Sequence, residues 1–211
     1  MHSMNILDCT LRDGGYYNAW DFSTELIADY LIAMKAAQVD IVELGFRFLA
    51  NKGFKGACAY TTDDFLRSLE VPDSLAVAVM INGVDLCGLS GREAVLQRLF
   101  PEPAANSPVS IVRFACHFHE LAEVLPAVSW LVERDYRVGV NLMQIADRTE
   151  QEIRDLGAMA NEWPLEVLYF ADSMGGMTPE DVDRIVALLR ERWQGAIGIH
   201  THDNMGLALA N

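Results

Sequence analysis

The chain has 211 residues, of which 51% are hydrophobic and 22% charged, a globular composition with enough length for a full core. Sixteen Lys and Arg against thirty Asp and Glu leave a formal charge of −14. That balance excludes a basic nucleic-acid interface and an anionic membrane surface as the main partner, and no apolar run is long enough to span a bilayer. Cys9, Cys58, Cys87 and Cys116 are scattered with no CxxC pair. They read as small buried residues of a reducing, cytoplasmic protein.

Short apolar runs alternate with amphipathic stretches along the whole chain. Asn5 to Asp8 predicts the first strand, and Ser23 caps a first helix over Phe22 to Ala37. Asp40 to Phe46 predicts the second strand, followed by a helix over Thr62 to Leu69. Leu75 to Ile81 and Ser110 to Ala115 are the next strands, with helices over Arg92 to Leu99 and Leu121 to Arg134. Arg137 to Ile145 and Leu165 to Ala171 follow, with helices over Glu150 to Glu162 and Pro179 to Trp193. Thr178-Pro179-Glu180 is a cap with Pro at the first helical position. The seventh strand runs from Ala196 to His200, and a last helix is expected from near Asn204. Unbroken runs such as Val77-Ala78-Val79-Met80-Ile81 belong to parallel strands covered on both faces. The chain is therefore α/β, either a doubly wound sheet or a (β/α)8 barrel. No GxGxxG follows the first strand, and units of roughly 30 residues suit the barrel.

Both architectures place their sites where strands end, and polar residues cluster there. Asp8-Cys9-Thr10-Leu11-Arg12-Asp13-Gly14-Gly15-Tyr16 sets a cation beside a carboxylate, and taken alone a solvated turn with a local ion pair explains it. His200 and His202 have i, i+2 spacing, so both face one side of a strand and one divalent cation can take a nitrogen from each. Two separately hydrogen-bonded histidines are the plainer alternative. Glu43 lies in an apolar strand, so it faces a polar centre or finds a cation. His117 and His119 share the i, i+2 spacing but have no Arg–Asp pair beside them, and read as substrate-pocket or surface residues. Asn141 and Gln144 lie in or after the fifth strand, Asp172 and Ser173 end the sixth, and all four read as pocket or turn residues.

Taken together, Leu7-Asp8-Cys9-Thr10-Leu11-Arg12-Asp13-Gly14 and His200-Thr201-His202-Asp203-Asn204-Met205-Gly206-Leu207-Ala208 resemble the paired signatures of the metal-dependent aldolase and acyl-CoA lyase superfamily. Its members include hydroxymethylglutaryl-CoA lyase and 4-hydroxy-2-oxovalerate aldolase. The resemblance implies a TIM (β/α)8 barrel, here ending after the seventh strand. It implies a single HMGL-like, pyruvate-carboxyltransferase-type domain over residues 1–211 that lacks the eighth βα unit. It further implies a lyase that cleaves a C–C bond of a small 2-keto acid through a metal-stabilised enolate. Asp13, His200 and His202 match the metal ligands, with Mn²⁺ or Mg²⁺ expected and Co²⁺ or Zn²⁺ compatible. Arg12 matches the arginine that meets the oxyanion, and Glu43 the acid that holds this arginine. Tyr16 stands where related aldolases carry a catalytic His, so the substrate does not transfer with the motif. His117, His119, Asn141, Gln144 and Ser173 are the expected substrate contacts. An acetyl-CoA-dependent condensing synthase and a non-catalytic metal-binding or assembly domain are the competing functions. Two sheet edges left by a seven-unit barrel predict a homo-oligomer, with a small molecule as the other partner and neither nucleic acid nor membrane.

Overall fold

The computed structural model describes residues 4–50 and 53–211. The strands are β1 (Leu7–Asp8), β2 (Ile41–Phe46), β3 (Ala76–Asn82), β4 (Ile111–Cys116), β5 (Arg137–Leu142), β6 (Val167–Ala171) and β7 (Ala196–His200). They form one seven-stranded sheet in sequence order. The registers of β1 with β2, β2 with β3, β5 with β6 and β6 with β7 are all parallel. This is the strand order of a (β/α) barrel and not of a doubly wound sheet, whose order reverses at a switch point. The helices are α1 (Thr10–Asn18), α2 (Thr24–Ala36), α3 (Asp63–Arg67), α4 (Arg92–Leu99), α5 (Leu121–Val132), α6 (Glu150–Asn161) and α7 (Pro179–Arg190). No helix among the described residues is long and apolar enough to cross a membrane.

The chain packs as two compact units: residues 1–81, 91–113 and 134–136 form one, and residues 82–90, 114–133 and 137–211 the other. The first unit is built on β2, every residue of which is buried. Ile41, Ala78 and Ile111 form a layer of its core, with Leu7 and Ala76 packed against it. Its helix α2 starts where Ser23 accepts a hydrogen bond from the backbone of Leu26 at 3.2 Å, as the sequence predicts. In the second unit the buried core includes Val140, Leu168 and Phe170 of β5 and β6 and Val128, Ile153, Ile185 and Leu189 of the helices. Helices α6 and α7 both open with capping boxes, Thr149 with Glu152 and Thr178 with Asp181, and Pro179 occupies the first turn of α7.

Three expectations are corrected. Asp8 to Tyr16 is not a turn; Thr10–Asn18 is helical, so Arg12 and Asp13 sit in the first turn of α1. Two glycines hid this helix, but Gly15 is a packing residue: a Cβ there would lie 1.9 Å from the Trp20 ring. No helix follows Asn204; residues 204–210 make turns, with Asp203 accepting from the backbone of Ala208 at 3.1 Å. Strand β5 ends at Leu142 and not at Ile145, because Gln144 takes a left-handed conformation (φ 56°).

Gly45, next to last in β2, leaves no room for a methyl group. A Cβ there would meet the backbone carbonyl oxygen of Cys58 at 1.8 Å. Gly45→Ala is expected to destabilise the chain by about 3 kcal/mol, at the upper end for overpacking, because the obstacle is main chain. Gly176→Ala, whose Cβ meets nothing within 4 Å, is expected to stay within about 0.5 kcal/mol. Denaturant melts of the two variants check the contrast.

Candidate active site

In the first unit the strand-end residues form one buried charge cluster. Glu43 is completely buried in β2. One of its oxygens accepts from Arg12 Nε at 2.8 Å and the other from Arg113 Nη1 at 2.9 Å. Arg12 is 6% exposed and Arg113 1%, so this is a carboxylate bridging two desolvated guanidinium groups. Arg12 also pairs with the neighbouring Asp13 carboxylate. Its Nη2 is buried and makes no hydrogen bond among the described residues. Trp20 fixes the backbone beneath by donating from its indole nitrogen to the Arg12 carbonyl at 2.9 Å. Asp8, at the end of β1, is held by the Tyr30 hydroxyl at 2.7 Å and by the backbone of Thr10 at 2.9 Å. Burial pushes the Glu43 carboxyl up, but Arg113 and Arg12 outweigh it and hold it below the ordinary carboxylate range.

Tyr16, also on α1, is 63% exposed and packs its ring against Trp20 at 4.8 Å and Phe46 at 6.0 Å. Partial desolvation raises its pKa against the opposing effect of Arg12, so at neutral pH it carries its proton. Cys9 donates from its thiol toward Asp13 Oδ2 at 3.5 Å, and burial pushes the thiol pKa up to about 12. Cys9, expected as a small buried residue, is half-buried beside Asp13, and Arg113 is a member of the cluster that the strand-end motifs do not single out. A signal for Arg113 was present: a charged residue inside Ile111-Val112-Arg113-Phe114-Ala115 demands a partner on the same ground as Glu43.

In the second unit His200 ends β7 and His202 lies two residues beyond. Their Nε2 atoms are 3.1 Å apart and their rings cross at 81°. Two nitrogens each about 2.1 Å from one cation lie about 3.0–3.4 Å apart, so the pair has the spacing of a chelate. Asn204 packs on Gly175, where a Cβ would meet its side chain at 2.4 Å and where φ is +65°. A glycine is required at that turn on both counts. Asp172 is buried and accepts from the backbone of Gly176 at 3.0 Å and of Met177 at 3.2 Å, holding the same loop. Ser173 Oγ accepts from the backbone of Gln144 at 3.0 Å. Asn141 is buried in β5, and its Oδ1 has no hydrogen-bond partner among the described residues.

His117 and His119 stack at 5.7 Å around Glu120. The His117 backbone donates to Glu120 Oε2 at 2.9 Å, and the His119 side chain is 80% exposed with Nε2 3.8 Å from Glu120 Oε1. Their rings lie nearly parallel, at 10°, whereas those of His200 and His202 cross.

Because Glu43 is charged in the fold and its pKa is depressed, its stabilising effect is complete above the pKa of an unfolded Glu, about 4.3. It is lost as pH falls through the lower folded value. Acid titration of stability should therefore show a loss beginning below about pH 4.3 that flattens in Glu43→Gln. The variant itself should cost about 3–5 kcal/mol at pH 7, since it strands two buried guanidinium groups. Urea melts at several pH values measure both effects.

The HMGL-like family model matches residues 110–211. The 4-hydroxy-2-oxovalerate aldolase 2 of Rhodococcus jostii is 28% identical over 99% of this chain and 59% of its own length. The chain thus spans about 59% of the curated relatives it matches. An N-terminal domain solved from Bacteroides vulgatus superimposes with a TM-score of 0.87 at 28% identity, covering 99% of this chain and 67% of that one. The HMG-CoA lyase of Bacillus subtilis superimposes with a TM-score of 0.74 at 14% identity, covering 100% of this chain and 72% of that one. The chain has the fold of the TIM-barrel HMGL-like enzymes, resembles them along its length, and matches their family model over residues 110–211.

Proposed function

We propose that the chain carries the site of a divalent-metal-dependent C–C lyase of aldolase type, acting on a small 2-keto acid such as a 4-hydroxy-2-oxo acid. The observation that carries this reading is Arg12: a buried guanidinium clamped by Glu43 and Asp13, with Nη2 left without a partner. A buried cation with a spare donor is suited to an oxygen whose negative charge grows as a bond breaks. The strand-end motifs and the 4-hydroxy-2-oxovalerate aldolases among the relatives point the same way.

The donor set fits a divalent cation. His200 and His202 offer imidazole nitrogens at chelating separation, and Asp13 offers a carboxylate. We assign these three residues as the ligands on the resemblance of their two motifs. A divalent cation bound there would polarise the keto carbonyl of the substrate.

The chain's own residues perform the remaining steps. Glu43 and Arg113 fix Arg12 so that its donor does not reorganise during reaction. Arg12 Nη2 donates to the oxygen that gains charge when the C–C bond breaks. Tyr16 holds its proton at neutral pH, so it acts as a hydrogen-bond donor or proton source and not as the resting base. Asn141, with an acceptor to spare, positions a hydroxyl of the substrate. His117, His119, Gln144 and Ser173 belong to the loops around the substrate.

The test is metal analysis of the purified chain, then pyruvate release from a panel of 4-hydroxy-2-keto acids with and without a chelator. Turnover is expected to require Mn²⁺ or Mg²⁺ and to fall about 10²–10³-fold in Arg12→Ala. Tyr16→Phe is expected to lower turnover by at least about tenfold while leaving metal content unchanged. Acetyl-CoA-dependent thiol release in place of cleavage would replace this reading with a condensing synthase. Metal content in the absence of either activity would favour a binding domain.

A further inference from the structure

A second group of unsatisfied polar atoms lies in the first unit, among residues the proposed reaction does not use. A cavity of about 350 Å³ opens between the segment after β2, α3 and the end of α4. Its inner wall is Asp63, 8% exposed, and Arg47, 3% exposed. Each nitrogen of Arg47 is engaged: Nε donates to the Thr61 carbonyl at 3.2 Å, Nη1 to the Leu99 carbonyl at 2.5 Å, and Nη2 to Asp63 Oδ1. Ser107 also donates to Asp63 Oδ1, at 3.1 Å. Asp63 Oδ2 is buried and receives no hydrogen bond; Arg67 Nη2 lies 3.9 Å from it. The hydroxyl of Tyr60, on the same cavity, is likewise buried with no partner.

Two buried polar oxygens without partners on one cavity cost free energy unless something occupies it. The charge on Asp63 is already balanced by Arg47 and flanked by Arg67, so Oδ2 requires a hydrogen and not a second cation. A hydroxyl supplies that hydrogen and can exchange a second one with Tyr60. At the rim, Arg67 is committed to Asp64 and to the Asn106 carbonyl. Arg98 is exposed and has no ion pair or hydrogen bond among the described residues, so it is a cation available to an anion. Phe48 and Leu99 add apolar lining. The volume is that of a small-molecule site.

We infer that this cavity binds a polyhydroxylated carboxylate of sugar-acid size, its hydroxyls on Asp63 Oδ2 and Tyr60 and its carboxylate on Arg98. None of Arg12, Asp13, Glu43 and Arg113 lines it, so occupancy does not depend on the reaction proposed above.

Calorimetric titration of the intact chain with gluconate, hexanoate and sorbitol, in EDTA so that no metal is chelated, tests the assignment. The three probes share a chain length, and the last two lack the hydroxyls or the carboxylate. Gluconate is expected to saturate, with hexanoate and sorbitol each at least about tenfold weaker. Tyr60→Phe and Arg98→Ala are each expected to weaken gluconate at least about tenfold. Neither should lower the melting temperature by more than about 2 °C, since one removes an unpartnered hydroxyl and the other an exposed side chain. Absence of saturation, equal binding of the three probes, or full affinity in both variants would overturn the assignment and leave water as the partner of these oxygens.

Discussion

Everything at the ends of the first strands depends on one carboxylate with two guanidinium groups on it. Glu43 is completely buried and stays charged because Arg12 and Arg113 approach its two oxygens from different elements, α1 and β4. Desolvating an ion costs several kcal/mol, and only close, hydrogen-bonded counter-charges offset that. The arrangement is therefore a geometric constraint more than a source of stability. It ties the first turn of α1 to β2 and β4, and leaves Arg12 one correct orientation. The aromatic layer of Trp20, Phe46 and Phe48 then closes over the same spot, with Phe46 and Phe48 stacked at 4.5 Å.

The glycines near this cluster serve the same constraint. Gly15 lets the indole of Trp20 approach α1 closely, and that indole donates a hydrogen bond to the Arg12 carbonyl. Gly45 lets the chain around Cys58 press onto β2, two residues from Glu43. In the second unit Gly175 does the equivalent for Asn204, just beyond the two histidines. In each place a side chain is omitted so that a ring, a backbone or another side chain can approach.

Much of this was legible in the sequence. The seven strands and their parallel order follow from unbroken apolar runs separated by capped helices. The caps at Ser23 and Thr178 are where their residue types put them. Glu43 announced a partner because a lone acid in an apolar strand cannot stay unpaired. Other features were hidden for physical reasons. Thr10–Asn18 contains Gly14 and Gly15, so propensity argues against a helix that tertiary packing against Trp20 enforces. The stretch after Asn204 has helical composition, yet Asp203 bonds forward to the backbone of Ala208 and Asn211 donates to the Met177 carbonyl at 2.8 Å, favouring turns. Arg113 could have been found by the rule applied to Glu43. Its identity as the second partner of that acid could not, because the residues lie 70 apart in the chain.

The charge sum of the cluster shows what the second arginine contributes. Arg12 and Arg113 bring two positive charges, and Glu43 and Asp13 two negative ones, so the four groups are neutral together. With Arg12 alone, two carboxylates would face one guanidinium and leave a negative surplus around the completely buried Glu43. A desolvated uncancelled charge is expensive. Arg113 removes that surplus from β4, on the oxygen of Glu43 that Arg12 does not use, and so leaves Arg12 free to hold Asp13 as well. The buried second arginine therefore sets the charge balance of the cluster, while Arg12 keeps one terminal nitrogen, Nη2, without a hydrogen-bond partner among the described residues.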